Sequence, residues 1–324
     1  MPHAGLHFRT FLHHRKERSI DCRGRNVPEK RYNSDLHAIS PSSGMKRFLP
    51  ILVLVCSACL CARAQTPSAT GQPPSDAAAP ALTAPMDESA RKAKALIQQA
   101  IQALGGDIYL GIKDREQQGK GYGFHHGRSS GAGTMFWSFT EFPDKERVEL
   151  TQQRDITELY VANKGYEITF KGVKALDDKD MVDYLRRRRF SLDTILRTWV
   201  NDPGVVFLLQ RNAIAAQHPS TQVTLINSKN ESVTLFFDLE THLPVKKSFE
   251  WRDPVDKQKN LEEEIYDNYR PVSGTMMPYN VTRLFNGDMA SQRFLSGVTI
   301  NQGLDQTMFD PNSGYNPNKP TKKK

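Results

Sequence analysis

Between Ile108 and Phe170 the hydrophobic pattern takes a period of two, carried by four runs. "GTMFWSFTEF" (133–142), "RVELTQQ" (147–153), "ITELYVAN" (156–163) and "YEITFKG" (166–172) are strand-length runs broken by Gly, Asn, Asp and Pro. Breaks this short predict antiparallel neighbours, because parallel strands need long crossovers. A second series follows: "GVVFLLQ", "QVTLIN", "SVTLFFD", "PVKKSFEW", "LEEEIYDNY", "PYNVTRLFN" and "RFLSGVTI".

Two segments break the alternation. In "MDESARKAKALIQQAIQALGG" (86–106), Ala93, Ile97, Ile101 and Leu104 recur at helical spacing, Asp87 or Ser89 can cap the start, and Gly105-Gly106 ends it. "DDKDMVDYLRRRRFSLDTILRTWVND" (177–202) returns to helical character, with apolar faces that include Met181, Leu185, Leu192, Leu196 and Trp199. The pattern predicts an α+β, mainly β domain over 87–316: a strongly curved antiparallel sheet or incomplete β-barrel of about ten strands under a helical lid.

Several strands are apolar on both faces, which sets the functional question. In "TMFWSFTEF", Met135, Trp137 and Phe139 share one face while Phe136 and Phe142 share the other. In "FFDLETHLPVKKSFEW" (236–251), Asp238 and Thr241 can hydrogen-bond locally in the turn, Pro244 starts the return strand, and Val245, Phe249 and Trp251 share a face. A strand dry on both sides needs a cover on each. One cover can be core helix and the other a lid or an apolar ligand, unless the sheet is a plain sandwich. The residues expected to line an apolar cavity are Met135, Trp137, Phe139, Leu159, Val161, Phe170, Phe237, Phe249 and Trp251. The lid is expected to contribute Met181, Leu185, Leu192, Leu196 and Trp199.

The N-terminal part changes the setting. "MKRFLPILVLVCSACLCARA" (45–64) has a basic start, a short apolar run and Ala62-Arg63-Ala64 at its end, the layout of a secretory signal. Residues 1–44 read as an over-long gene start, 65–86 as a Pro/Ala/Ser linker expected to be disordered, and 317–324 as a disordered basic tail. The expected location is the periplasm. Lipidation at Cys59 is disfavoured, because the usual Leu three positions upstream is lacking.

Charge follows the same boundary. The chain carries a formal net charge of +8, of which residues 1–64 supply +7 through 11 Lys+Arg and 4 Asp+Glu. The remainder is nearly neutral, so basicity gives no case for nucleic acid. Cys22, Cys56, Cys59 and Cys61 all precede the expected cut, which leaves the exported part without thiols and dependent on its core.

Catalytic patterns are missing from the exported part. Its histidines are His125, His126, His218 and His242, none in a metal-binding HExxH spacing, and neither a GxSxG elbow nor a P-loop occurs. In an extended strand His125 and His126 would point to opposite faces. Glu262 and Glu264 read as a solvated polar face. "RRRR" (186–189) reads as the solvated face of a lid helix, with anionic headgroups or an acidic partner as the alternative. No catalytic residue, metal or cofactor is expected.

The chain resembles the periplasmic lipoprotein-carrier family (LolA/LolB-like, outer membrane lipoprotein-sorting proteins). The resemblance rests on "GAGTMFWSFTEFPDKERVEL", on "ELYVANKGYEITF", on the Asp238, Thr241, Pro244 turn, and on the closing Phe309, Pro311, Gly314 of "NQGLDQTMFDPNSGY". It implies a half-open antiparallel barrel with a helical lid that shields lipoprotein acyl chains in transit. Two positions depart from the pattern: Phe142 stands where a lid-fastening arginine precedes the proline, and Glu146 where an apolar cavity residue follows it. The expected partner is therefore a lipoprotein acyl chain or another lipid, bound by a monomer. The alternative is a cell-envelope protein-interaction module with a sealed core, and a hydrolase is the weakest reading.

Overall fold

The computed structural model describes residues 84–318. The expected gene-start extension, signal, most of the linker and the final lysine-rich residues lie outside this range.

Helix α1 (Ala84–Leu104) ends at Gly105 and Gly106, whose φ angles of 123° and 59° turn the chain into the short α2 (Asp107–Leu110). Strands β1 (Asp114–His125), β2 (Arg128–Ser129), β3 (Thr134–Glu141), β4 (Lys145–Leu150), β5 (Ile156–Val161), β6 (Lys164–Thr169) and β7 (Gly172–Ala175) form the first half. The insertion folds as α3 (Asp178–Arg189), α4 (Leu192–Arg197) and a 3-10 turn at Trp199–Asn201. The second half is β8 (Val206–Leu209), β9 (Ala213–Ala215), β10 (His218–Ile226), β11 (Ser232–Asp238), β12 (Pro244–Arg252), β13 (Lys259–Val272), β14 (Thr275–Phe285) and β15 (Asp288–Ile300).

These strands form one antiparallel sheet in the order β7-β6-β5-β4-β3-β1-β15-β14-β13-β12-β11-β10-β8, with β2 and β9 as short side pairs. It has 15 strands rather than about ten, and its two ends do not join, so it is an unclosed, lid-covered sheet of the expected kind. The main addition is β1. Its "DREQQGKGYGFH" has few apolar residues to alternate, yet it joins the halves by pairing β3 on one side and β15 on the other. At Gly119 a Cβ would lie 2.2 Å from the Phe294 carbonyl oxygen, which explains the glycine where the β1–β15 register shifts.

The stripe on α1 docks as expected. Ala93, Ile97, Ile101 and Leu104 are buried among Val223, Leu225, Val233, Leu235 and Phe237, with Phe190, Ile195, Leu196 and Trp199 completing the same cluster. Ser89 lies inside the helix, and its Oγ accepts the Leu209 N–H at 3.2 Å, so it ties α1 to β8 instead of capping. In the β11–β12 turn, Asp238 Oδ1 accepts the N–H groups of Glu240 and Thr241 and the Thr241 hydroxyl, as the sequence predicts. Burial would raise the Asp238 pKa, but these donors outweigh it and hold the carboxyl low.

Candidate functional site

A cavity of about 340 Å³ lies between the concave sheet face and the lid formed by α3 and α4. Its sheet wall includes Phe136, Ser138 and Thr140 of β3, Glu146 and Val148 of β4, Tyr160 of β5, Tyr266 of β13, and Val281 and Arg283 of β14. Leu104, Tyr109, Tyr184, Leu192 and Asp193 contribute from the helices. The wall thus mixes apolar and aromatic surface with charges of both signs.

Polar contacts fasten the lid over this space. Tyr184 of α3 donates its hydroxyl to Glu146 Oε2 at 3.0 Å, while Ser138 Oγ donates to Glu146 Oε1 at 3.3 Å. The Tyr184 ring stacks on Tyr160 at 3.5 Å between centroids. Burial, then the Glu146 charge, pushes the Tyr184 pKa well up, so it stays a hydroxyl donor. Asp193 of α4 pairs with Arg115 of β1 at 3.0 Å and accepts the Tyr109 hydroxyl at 3.1 Å. Burial would raise the Asp193 pKa, but Arg115 and Arg197 lower it more. Arg197 donates to the carbonyls of Tyr109 (2.7 Å), Ile112 (2.9 Å) and Leu110 (3.1 Å), and its guanidinium lies 4.4 Å from the Phe142 ring centroid.

The two departures from the carrier pattern thus acquire roles in fastening. Glu146 receives the lid tyrosine, and Phe142 carries Arg197 on its face.

The "RRRR" run is only partly solvated. Arg186 is 9% exposed; it reaches Glu262 at 3.2 Å and Asp183 at 2.8 Å and lies over the Trp251 ring. Arg188 Nη1 donates to the Asp144 carbonyl at 3.2 Å, and Arg189, the exposed member, pairs with Glu231 at 2.9 Å. Helical periodicity gives four consecutive residues four directions, so one run of charge serves both solvent and sheet.

Glu262 and Glu264 are likewise not a solvated face. Glu262 is 3% exposed under Arg186. Glu264 accepts Lys247 Nζ at 2.9 Å and the Tyr266 hydroxyl at 2.7 Å. Burial alone would raise the Glu264 pKa, but Lys247 and both hydrogen bonds hold it down at about 2. Lys247 Nζ also donates to the Phe190 carbonyl at 2.6 Å, tying the end of α3 to β12.

The residues expected around an apolar cavity separate into three places. Phe237 and Phe249 are buried in the α1 core, where Phe249 stacks on Phe190 at 4.2 Å, and Trp251 packs at its margin beneath Arg186. Trp137, Phe139, Leu159 and Val161 lie on the other face of β3 and β5, in a cluster with Met308 and Phe309. Met135 shares the Trp137 face of β3, and Phe170 is 88% exposed at the β6–β7 turn. Of the lid residues, Leu192 lines the cavity, whereas Leu196 and Trp199 are core. Met181 packs near Gly165, and Leu185 is half-buried.

The closing motif explains the second cluster. A 3-10 turn at Gln306–Phe309 places Met308 and Phe309 on the convex face of β3–β5, where the Met308 carbonyl accepts Arg147 Nη1 at 3.0 Å. Arg147 Nε donates to Glu149 Oε1 at 2.6 Å, and both side chains are nearly sealed from solvent. The two-sided dryness of β3 therefore has two covers: the C-terminal segment on one face and the lidded cavity on the other.

His125 and His126 do not point apart. His126 leaves the strand with φ of 49°, and the two rings meet edge to face at 4.3 Å. Among the described residues no group of three or more His, Cys, Asp or Glu is placed to hold a metal. Nor, among them, is any helix long and apolar enough to cross a membrane.

Sequence reasoning missed Glu146, Asp193, Arg115 and Arg283 as cavity groups. The departure at Glu146 was the one available signal, since a charge at an apolar position needs a buried partner.

No family model and no curated protein sequence matches the chain. Solved structures similar to it include a DUF1329 family protein from Desulfovibrio piger, with 10% identity and a TM-score of 0.48 over 68% of this chain and 97% of that one. An outer membrane lipoprotein-sorting protein domain from Vibrio parahaemolyticus matches with 13% identity and a TM-score of 0.46, over 69% of this chain and 98% of that one. A LolA superfamily protein from Nitrosomonas europaea matches with 13% identity and a TM-score of 0.43, over 67% and 96%.

Proposed function

We propose that this chain is an exported, non-enzymatic carrier or binding protein that shelters an acyl chain of a lipid or lipoprotein beneath its lid. The observation that carries the reading is the contrast between the two halves of the concave face. Beneath β10–β12 the space is filled by α1 and the aromatic residues of the insertion, whereas beneath β3–β5 and β13–β15 about 340 Å³ is left open under helices fastened by a few polar contacts. That volume lies at the low end of small-ligand pockets, roughly 300–1,000 Å³, and suits one chain better than several. Each methylene sheltered from water would contribute about 0.8 kcal/mol, so partial burial of one chain gives reversible binding.

The test is native mass spectrometry of the protein purified from its own cell envelope, with uptake of a fluorescent fatty acid by the delipidated protein. The expected result is a lipid adduct together with saturable uptake that Leu192→Trp, which fills the cavity, reduces. Absence of both adduct and uptake overturns the reading.

A protein-interaction module has one observation in its favour. Phe170 (88% exposed) and Val173 (44% exposed) project from the β6–β7 hairpin at the edge of the sheet. Capture of a specific envelope partner that Phe170→Ser abolishes, with no lipid bound, would favour that reading.

A further inference from the structure

The cavity wall is chemically divided. Val281, Met277, Leu104 and Leu192 give it an apolar stretch, while Arg283 of β14 and Arg293 of β15 stand together at one corner. The strand register sets this juxtaposition: Val281 pairs with Arg293, and Arg283 pairs with Ser291 two positions along. Arg187 of α3 lines the same cavity.

The carboxylates nearest this corner are already engaged. Glu262 is held by Arg186 at 3.2 Å and Glu264 by Lys247 at 2.9 Å. Among the described residues, Arg283 and Arg293 form no ion pair, and Arg283 Nε is sealed from solvent without a hydrogen-bond partner. Burial, then the Arg187 and Arg293 charges, draws the Arg283 pKa down, although Glu262 and Glu264 act against this. The Nε atoms of Arg115 and Arg197 are in the same state, but those arginines are paired with Asp193, whereas among the described residues Arg283 has no carboxylate partner. A guanidinium fork matches the two oxygens of a carboxylate or phosphoryl group, and in a partly dry cavity such a pair is stronger than at the surface.

Resting on the carrier reading above, we propose that the ligand is a single-chain amphiphile with an anionic headgroup. Its carboxyl or phosphoryl oxygens are received by Arg283 and Arg293, and its chain runs over Val281 toward Met277 and Leu104. The anionic group supplies the counter-charge that Arg283 and Arg293 lack, and the chain occupies the apolar stretch that begins beside it. Headgroup and tail are thereby read by adjacent parts of one wall.

The experiment is calorimetric titration of the delipidated protein, below micelle-forming concentrations, with decyl phosphate, decanol and inorganic phosphate. The expected result is that decyl phosphate binds at least about tenfold more tightly than decanol, the scale of one charge-assisted hydrogen-bonded pair. In Arg283→Gln that ratio falls to within about twofold of one, while the conservative Arg283→Lys keeps a clear preference for the anion. Equal affinity for decyl phosphate and decanol in the wild type, or an unchanged ratio in Arg283→Gln, overturns the headgroup assignment and leaves the carrier reading standing. Inorganic phosphate binding as tightly as decyl phosphate overturns the amphiphile, because the tail then contributes nothing. Failure of both ten-carbon ligands to bind overturns the carrier reading and this proposal with it.

Discussion

Tyr184 on the lid and Glu146 on β4, both in the cavity wall, are joined by a hydrogen bond of 3.0 Å, although 38 residues separate them in the chain. The bond is charge-assisted and half-buried, so it fastens α3 more firmly than an exposed contact would. Tyr184→Phe keeps the ring stacked on Tyr160 and deletes only the donor. The expected cost is about 1–2 kcal/mol of local lid stability. Amide hydrogen exchange should show 178–189 opening roughly tenfold faster while β11 and β12 keep their protection. Equal exchange in the lids of variant and wild type would show that the bond does not fasten it.

Arg147 and Glu149 form the second buried polar centre, under the C-terminal segment. Removing the arginine leaves a fully buried carboxylate with only Arg154 beside it. Arg147→Met should cost about 3 kcal/mol in urea unfolding, since breaking a buried pair from one side strands the other charge. The double variant Arg147→Met, Glu149→Leu should recover most of that loss, and a loss equal to or greater than that of the single variant would contradict this assignment.

The acid side of the stability profile should reflect Glu264. Its folded pKa of about 2 lies below the ordinary carboxylate value, so its contribution is fully present above the unfolded pKa near 4.3. It is lost as pH falls from about 5 toward 2. Asp193 and Asp238, both lowered, add to the loss in the same direction. Thermal melts from pH 7 to 2.5 should show Tm falling below about pH 5, with a shallower fall in Glu264→Gln.

The legible parts of this fold were those with a local signature. The α1 stripe from Ala93 to Leu104 and the helical character of 177–202 could be read from apolar residues at helical spacing, and the β11–β12 turn from Asp238, Thr241 and Pro244, whose turn chemistry is local. The central strand β1 could not, because glycines and polar residues erase its alternation. Which face of β3 looks into the cavity was hidden for the opposite reason. Phe136 and Trp137 lie on opposite faces that are both dry, and only the position of Met308 and Phe309, some 170 residues later, shows which is covered by chain. The cavity's charged groups were illegible because each looks like a surface residue until its partner is found. Arg115 and Asp193, or Arg186 and Glu262, come from distant segments that local pattern does not connect.

The sheet order carries a consequence for biosynthesis. β1, the first strand among the described residues, pairs with β15, the last of them, with Arg115 opposite Ile300. While the chain emerges from the ribosome, the flank of β1 that β15 will cover remains an open hydrogen-bonding edge, the kind that invites pairing with other chains. Contacts this far apart in sequence form slowly, so the newly made protein spends longer with that edge bare than a meander of local hairpins would. The glycines and charged residues that make β1 hard to recognise also make it a poor template for the wrong partner during that wait.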